Sequence, residues 1–347
     1  MRAVIFREFK GPLRVENLPD PGPAPDGVVL AVKRTGVCRS DWHGWQGHDS
    51  DVVLPHVPGH ELAGEVVAVG ADVRSVRVGD RVTVPFVSGC GRCPPCGRGD
   101  PQVCDAQFQP GFTAWGSFAE YVALRYADAN LVRLPESVGY AAAASLGCRV
   151  TTSYRALVQL AALKAGETVA VFGCGGVGLS AVMIAAALGA QAIAIDLDPA
   201  KLELARELGA THALDVRAQP DIAGAVRELT RGGADVSIDA LGSELTLAQS
   251  VAALRKRGRH VQVGLLVGEK CDPRVPMNLV VARELALFGS HGIASVSYGD
   301  VFELIERRAI PLERMIERTL SLEAVPARLA DMASFAGVGI SLIDPAI

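Results

Sequence analysis

The sequence predicts an α/β protein in two parts, an irregular β domain and a doubly wound parallel sheet. Three observations carry this. Up to about residue 150, short apolar stretches alternate with Gly, Pro and Asp, and charged residues mix with apolar ones, as in short strands joined by turns. Beyond that point, strand-like and helix-like apolar segments alternate, the pattern of a parallel sheet covered on both faces. Between the first strand and first helix of this second part lies Gly173-Cys174-Gly175-Gly176-Val177-Gly178. A G-x-G-x-x-G pattern carries meaning in that setting and little outside it.

The elements follow in order. MRAVIFREFKG alternates apolar and charged residues like a strand, and Val28–Val32, Leu62–Val69 and Arg81–Val84 read as further strands. In the second part, Glu167–Phe172 is a strand and Gly175–Leu188 a helix of small and branched apolar residues. Gln191–Asp196 and Pro199–Leu208 continue the alternation, as do Asp235–Leu241, Glu244–Arg255 and Arg259–Leu265. Leu285–Gly289 is expected to be the last strand of the sheet. The remaining chain, with Val301–Arg307 and Ala324–Ala333 helical and Gly339–Ile343 extended, is expected to return to the first domain. The expected boundaries are 1–151 with 288–347 for the first domain and 152–287 for the second.

Bulk properties narrow the function. A chain of 347 residues, 49% of them apolar, is long enough for two cores. Lys plus Arg number 34 against 38 Asp plus Glu, a net charge of −4, which gives no electrostatic case for nucleic acid or an acidic membrane. The N-terminus lacks the apolar core and cleavage site of a signal peptide, and the apolar stretch Val177–Ala190 is too short to span a bilayer. The expectation is a cytoplasmic protein without membrane attachment. In such a chain the eight cysteines, several at C-x2-C spacing, favour metal over disulfides.

Cys90, Cys93, Cys96 and Cys104 lie on one Gly- and Pro-rich loop with C-x2-C-x2-C-x7-C spacing. Four thiolates close a tetrahedron around Zn2+ and leave no open position, so this site is expected to be structural. A second set of ligand types is dispersed: Cys38 in GVCRSDWH, His60 and Glu61 in PGHE, and Cys148 after Leu146-Gly147. Three ligands and an open position make a catalytic zinc, but spacing alone does not bring these residues together. In the glycine turn, Gly173 permits the tight bend, Gly175 and Gly176 let backbone approach a pyrophosphate at the helix N-terminus, and Gly178 allows close packing. Asp196 ends the next strand, where a carboxylate accepts from both ribose hydroxyls and repels a 2′-phosphate, favouring NAD(H). Lys201 lies close enough in sequence to reach the same ribose.

The pieces GVCRSDWH, PGHELAGEV, the four-Cys loop, GCRVTTSYRAL and VFGCGGVG followed by Asp196 together resemble the zinc-dependent medium-chain alcohol dehydrogenases, in the family's order and over nearly the whole chain. The resemblance implies a GroES-like catalytic domain built from both chain ends, with a Rossmann domain between. It implies that Cys38, His60 and Cys148 bind the catalytic zinc, with Glu61 as a neighbouring carboxylate and Asp41 fixing the His60 tautomer. Ser40 and then His43 are the implied proton relay, suited by an imidazole pKa near neutrality. Arg39 is implied at the pyrophosphate, and Thr152, Val177 and Leu265 around the nicotinamide. Trp42, Phe86 and Trp115 are candidates for an apolar pocket wall. The implied cofactors are two zinc ions per chain and NAD(H). The implied partners are a small alcohol, aldehyde or ketone and further copies of the chain, in a tetramer before a dimer. Two departures stand out: Gly339-Ile340-Ser341 occupies the region where many members carry a pyrophosphate-binding Arg, and Trp42 and Trp45 crowd the first ligand. Polyol and amino-alcohol relatives commonly carry Glu where this chain has Cys148, and a non-enzymatic zinc- and nucleotide-binding protein has no need of the intact set.

Overall fold

The computed structural model describes residues 1–267, 271–308, 310–334 and 337–347. It divides into two compact units, Met1–Thr151 with Gly292–Phe302 and Ile316–Ile347, and Thr152–His291 with Glu303–Met315. The division differs from the expected boundaries near the C-terminus, where residues 288–291 and 303–315 stay with the second unit. Contacts within that unit hold the latter segment: Met315 is fully buried with its sulfur 3.7 Å from the Ser180 hydroxyl, and Arg314 pairs with Glu207 at 3.1 Å.

The first unit is built on a mixed sheet. Its strands run in the order Ile316–Leu320, Ile340–Ile343, Val28–Val37, Glu61–Val69, Arg81–Thr83 and Val132–Arg133, and Tyr121–Leu124 also pairs with Val28–Val37. Only the first two are parallel to each other. The strand expected to stop at Val32 runs on to Val37. Lys33 and Arg34, which read as its end, instead pair with Glu65 at 3.8 Å and Asp344 at 2.7 Å. This extension sets up the site. Register pairs Gly36 with Glu61, so Cys38 and His60 leave the sheet at the same end. One apolar cluster gathers Ile5, Phe6, Phe118, Leu322 and Ile343, and a second gathers Leu30, Leu62, Val66, Val82 and Leu124.

The second unit is a six-stranded, all-parallel sheet in the order His212–Asp215, Gln191–Asp196, Thr168–Phe172, Ala234–Asp239, Leu254–Gln262, Ala286–Gly289. Numbered along the chain this is 3-2-1-4-5-6, the doubly wound order whose ligand crevice opens where the order reverses, beyond the carboxyl end of Thr168–Phe172. The third strand and the helix Ile222–Leu229 have no counterpart in the sequence reading; His212–Asp215 is only four residues long and has no fully buried residue. Leu254–Gln262 starts five residues before its expected beginning at Arg259; Arg255, Lys256 and Arg257 are exposed there and disguise it. Ala170, Phe172, Ile193, Ile195 and Val226 form its core. Among the described residues no helix is long and apolar enough to cross a membrane.

Candidate active site and metal centres

The Cys loop converges as its spacing predicts. One donor atom each from Cys90, Cys93, Cys96 and Cys104 lies within 4.8 Å of all the others. The loop's own backbone prepares the sulfurs for charge: Cys104 Sγ accepts from the Cys90 amide at 3.2 Å and the Ala106 amide at 3.3 Å. The Arg92 and Cys93 amides hold Cys90 down to about 6, while burial and then Cys93 push Cys96 up to about 12. Four thiols whose proton affinities are driven apart in this way are a set that a dication would unify, since each binds as thiolate.

The dispersed set also converges, although sequence spacing could not show it. Donor atoms of Cys38, His60, Glu61 and Cys148 lie within 4.8 Å of one another. Cys38 caps the helix Arg39–Trp45, and Asp41 at the third helical position closes a capping box by accepting from the Cys38 amide at 2.8 Å. The other Asp41 oxygen accepts from the Gly59 amide at 3.1 Å and contacts His60 Nδ1 at 2.9 Å. One carboxylate therefore ties both ligand-bearing segments together and places the ring proton on Nδ1. His60 Nε2 is buried and has no hydrogen-bond partner among the described residues, so it is the ring nitrogen a metal would take in place of a proton. An orphaned buried imidazole nitrogen beside two thiols is a strong mark of a metal site. Cys148 comes from the π-helical turn Leu146–Val150, a widened geometry found often at functional sites.

Charge in this cluster is tightly balanced. The contact with Cys148 holds Cys38 well below the usual thiol range, against burial and with help from His60. The same contact, with burial, pushes Cys148 well above it. Burial lowers the His60 imidazole, but Asp41 and Cys38 outweigh it and raise the ring well above its ordinary value. Burial pushes Glu61 up to about 8 although Arg149, itself buried, pairs with it at 2.9 Å. Arg149 also donates to the Val37 carbonyl, so it braces the strand that leads to Cys38. Sequence reasoning missed Arg149, whose position beside Cys148 was the only available signal.

Around these ligands, Ser40 Oγ is 3.9 Å from Cys38 Sγ. Phe86 stands edge-on to His60 at 6.2 Å, and Phe112, not singled out from the sequence, lies closer at 5.1 Å. Trp42 carries the Arg39 guanidinium over its ring at 4.0 Å, and Arg39 also donates to the Met332 carbonyl. Trp115 is exposed. It donates to the Pro55 carbonyl at 2.9 Å and lines a cavity of about 300 Å³ with Met1, Phe108 and Tyr121, and no metal-ligand candidate lines that cavity. His43 is half-buried. Burial, then Arg39 and His48, hold it down to about 4, so the near-neutral value expected of a free imidazole does not apply here.

In the second unit the glycine turn has the geometry its pattern requires. Gly173 has φ +93°, and a Cβ on Gly178 would stand 1.7 Å from the Gly173 carbonyl oxygen. A Cβ on Gly175 would meet nothing; the space beside it is open to a ligand. The helix Gly176–Ala187 begins there without a side-chain cap, leaving its first amides available for an anion. Asp196 ends its strand with one oxygen on the Cys174 amide at 2.7 Å and the other on the Leu197 and Asp198 amides at 2.7 and 3.0 Å. Lys201 lies on the helix Pro199–Glu207 that follows. Val177 is half-buried, Leu265 exposed, and the buried Thr152 hydroxyl has no hydrogen-bond partner among the described residues. The open cradle at Gly175 and the fixed carboxylate fit a dinucleotide.

Comparison with known proteins agrees. Residues 24–136 match the alcohol dehydrogenase GroES-like domain and residues 176–307 the zinc-binding dehydrogenase domain. An alcohol dehydrogenase of Rhizobium meliloti (strain 1021) is 39% identical over 79% of this chain and 79% of its own length. An NAD-dependent alcohol dehydrogenase of Sulfurisphaera tokodaii is 33% identical over 99% of this chain and all of its own. The alcohol dehydrogenase TADH from Thermus sp. ATN1 superposes with a TM-score of 0.90 at 30% identity, covering 99% of each chain. The chain belongs to the alcohol dehydrogenase family of zinc-binding dehydrogenases and is an oxidoreductase.

Proposed function

We propose that the protein interconverts a primary or secondary alcohol and its aldehyde or ketone with NAD(H), using one catalytic and one structural zinc. The observation that carries this reading is the Asp41–His60 pair, with His60 Nε2 buried beside Cys38 and Cys148 and without a hydrogen-bond partner among the described residues. Cys38, His60 and Cys148 would hold the catalytic ion, with Glu61 behind them, and Cys90, Cys93, Cys96 and Cys104 the structural one. Zinc supplies Lewis acidity that makes an alcohol proton easier to remove. NAD+ supplies the hydride acceptor, and the names of the relatives support that choice.

The chain's own residues do the rest. Asp41 keeps the His60 ring in one tautomer and orientation. Ser40 takes the alcohol proton, and His43 passes it outward. Gly175 and Gly176 admit the pyrophosphate to the helix N-terminus, and Arg39 is the side chain assigned to its charge. Asp196 holds the ribose hydroxyls, with Lys201 beside it, and disfavours a 2′-phosphate. Thr152, Val177 and Leu265 accommodate the nicotinamide. Phe86 and Phe112 beside His60 favour an apolar alcohol over a polyol. We also infer self-association through the second unit's edge, where Val275, Met277, Val281 and Leu287 are all exposed.

The test is nicotinamide reduction by zinc-loaded protein with NAD+ and a panel of primary, secondary and aromatic alcohols. Turnover should be fastest with apolar alcohols. No turnover with any alcohol or, in reverse, with any carbonyl compound would sink the reading.

A further inference from the structure

The helix Arg39–Trp45 ends in a way that brings two imidazoles together. Gln46 closes it, and Gly47 adopts φ +75°. The Gly47 amide donates to the Gly44 carbonyl at 3.1 Å and the His48 amide to the His43 carbonyl at 3.0 Å. These two bonds make a Schellman motif, which sets the side chain after the glycine against one in the helix's last turn, commonly through an apolar contact. In this chain the contact joins two histidines. Their Nδ1 atoms are 2.9 Å apart and their ring centroids 5.2 Å apart. Trp42 stands edge-on to both rings, at 5.0 and 5.7 Å. His43 is half-buried and His48 exposed, so the pair leads from the interior to water.

Two neutral imidazoles meeting through Nδ1 share a single proton, with one ring donating and the other accepting. We propose that His48 is the solvent-side end of the proton path, accepting at Nδ1 the proton that His43 releases. This rests on the alcohol dehydrogenase reading above. His43 gains a proton at Nε2 and gives its Nδ1 proton to Nδ1 of His48. His48 then loses its Nε2 proton to water. Both rings end neutral in the opposite tautomer, and carbonyl reduction runs the same path backwards. Burial, then Arg39 and His48, oppose a positive charge on His43, Cys38 and Asp49 favour it less strongly, and the ring is held down to about 4. An imidazole so reluctant to stay charged has to hand the proton on. His48 acts through His43 and does not touch the substrate.

The experiment compares wild type, His48→Gln and His48→Phe by the single-turnover rate of nicotinamide reduction, with zinc content as the check on folding. His48→Phe keeps a ring against His43 but cannot accept a proton. Both variants should retain full zinc and slow on the order of tenfold in weak buffer, less than the 10²–10⁴ of a directly acting acid or base. Added imidazole should restore the rate in proportion to its concentration. His43→Gln with His48→Gln should be no slower than His43→Gln alone. Wild-type rates in both variants at every buffer concentration overturn the proposal while leaving the functional reading intact, as does a slow rate that imidazole fails to restore. A zinc-loaded wild type that reduces no NAD+ with any alcohol overturns both.

Discussion

The two cysteine-containing clusters solve the same electrostatic problem by opposite means. In the loop Cys90–Cys104 the ligands come from one short segment, three of the four cysteines are only partly covered, and backbone amides support the negative charge. In the cluster of Cys38, His60 and Cys148 the ligands come from distant segments, His60 and Glu61 are fully buried, and side chains carry the balance: Asp41 on His60, Arg149 on Glu61. The first arrangement is local, saturated by sulfur and closed. The second mixes donor types and keeps a buried carboxylate and guanidinium in reserve. Reserve charge around an ion is what a reaction that moves charge requires, whereas a scaffold requires none.

The sharpest way to break this contrast is to remove one thiolate from each cluster. Cys38→Ala should abolish turnover, lose one zinc and keep the fold, by metal analysis and circular dichroism. Cys96→Ala should also lose one zinc, but lower the melting temperature and retain turnover per folded molecule. Identical behaviour of the two variants would erase the distinction. Next in size is Arg149→Met, which leaves Glu61 without its cation and should cost about 3 kcal/mol in denaturant unfolding of the zinc-loaded protein at pH 9, above the value of about 8 to which burial raises Glu61. Adding Glu61→Gln should recover part of that loss, a coupling that a surface ion pair would not show. Asp41→Asn should lower zinc affinity or turnover about 10- to 100-fold, read by competition with a chelator; no counterpart exists in the Cys loop, where backbone amides serve.

The smallest effect concerns His43, whose folded pKa of about 4 lies below the ordinary 6.5. Between those values the unfolded chain binds more protons, so this contribution is present above about pH 6.5 and is lost as pH falls towards 4. His43→Gln should flatten that part of the stability profile, measured as denaturation midpoints at pH 7 and pH 5. An unchanged slope would show that His43 is more exposed in solution than its packing implies.

Legibility in the sequence followed the range of the interactions. The Cys loop, the glycine turn and Asp196 are local patterns, and each appears where its spacing placed it. The strand ends were misjudged where charges sit inside a strand, at Lys33-Arg34 and Arg255–Arg257, because pairing partners such as Asp344 and Asp235 lie far along the chain. Arg149, Phe112 and His48 were passed over for the same reason: their neighbours Glu61, His60 and His43 are brought to them by the sheet register and by a helix end, not by a periodic pattern. Trp115, an aromatic in a site-rich domain, reads as pocket wall; its indole donates to the Pro55 carbonyl, and it lines a cavity that no metal-ligand candidate lines. Family resemblance brought Cys38, His60 and Cys148 together before the structure did; no spacing rule would have done so.

The dispersal of those ligands also orders the assembly of the protein. A chain emerging from its N-terminus possesses all four loop sulfurs once Cys104 is made, and closing so short a loop sacrifices little conformational freedom. The other ion has no complete seat until Cys148 has been added and the paired strands Val28–Val37 and Glu61–Val69 have brought Cys38 to His60. A nascent chain in limiting zinc therefore meets its two appointments with the metal in sequence, the scaffold first and the reactive centre last.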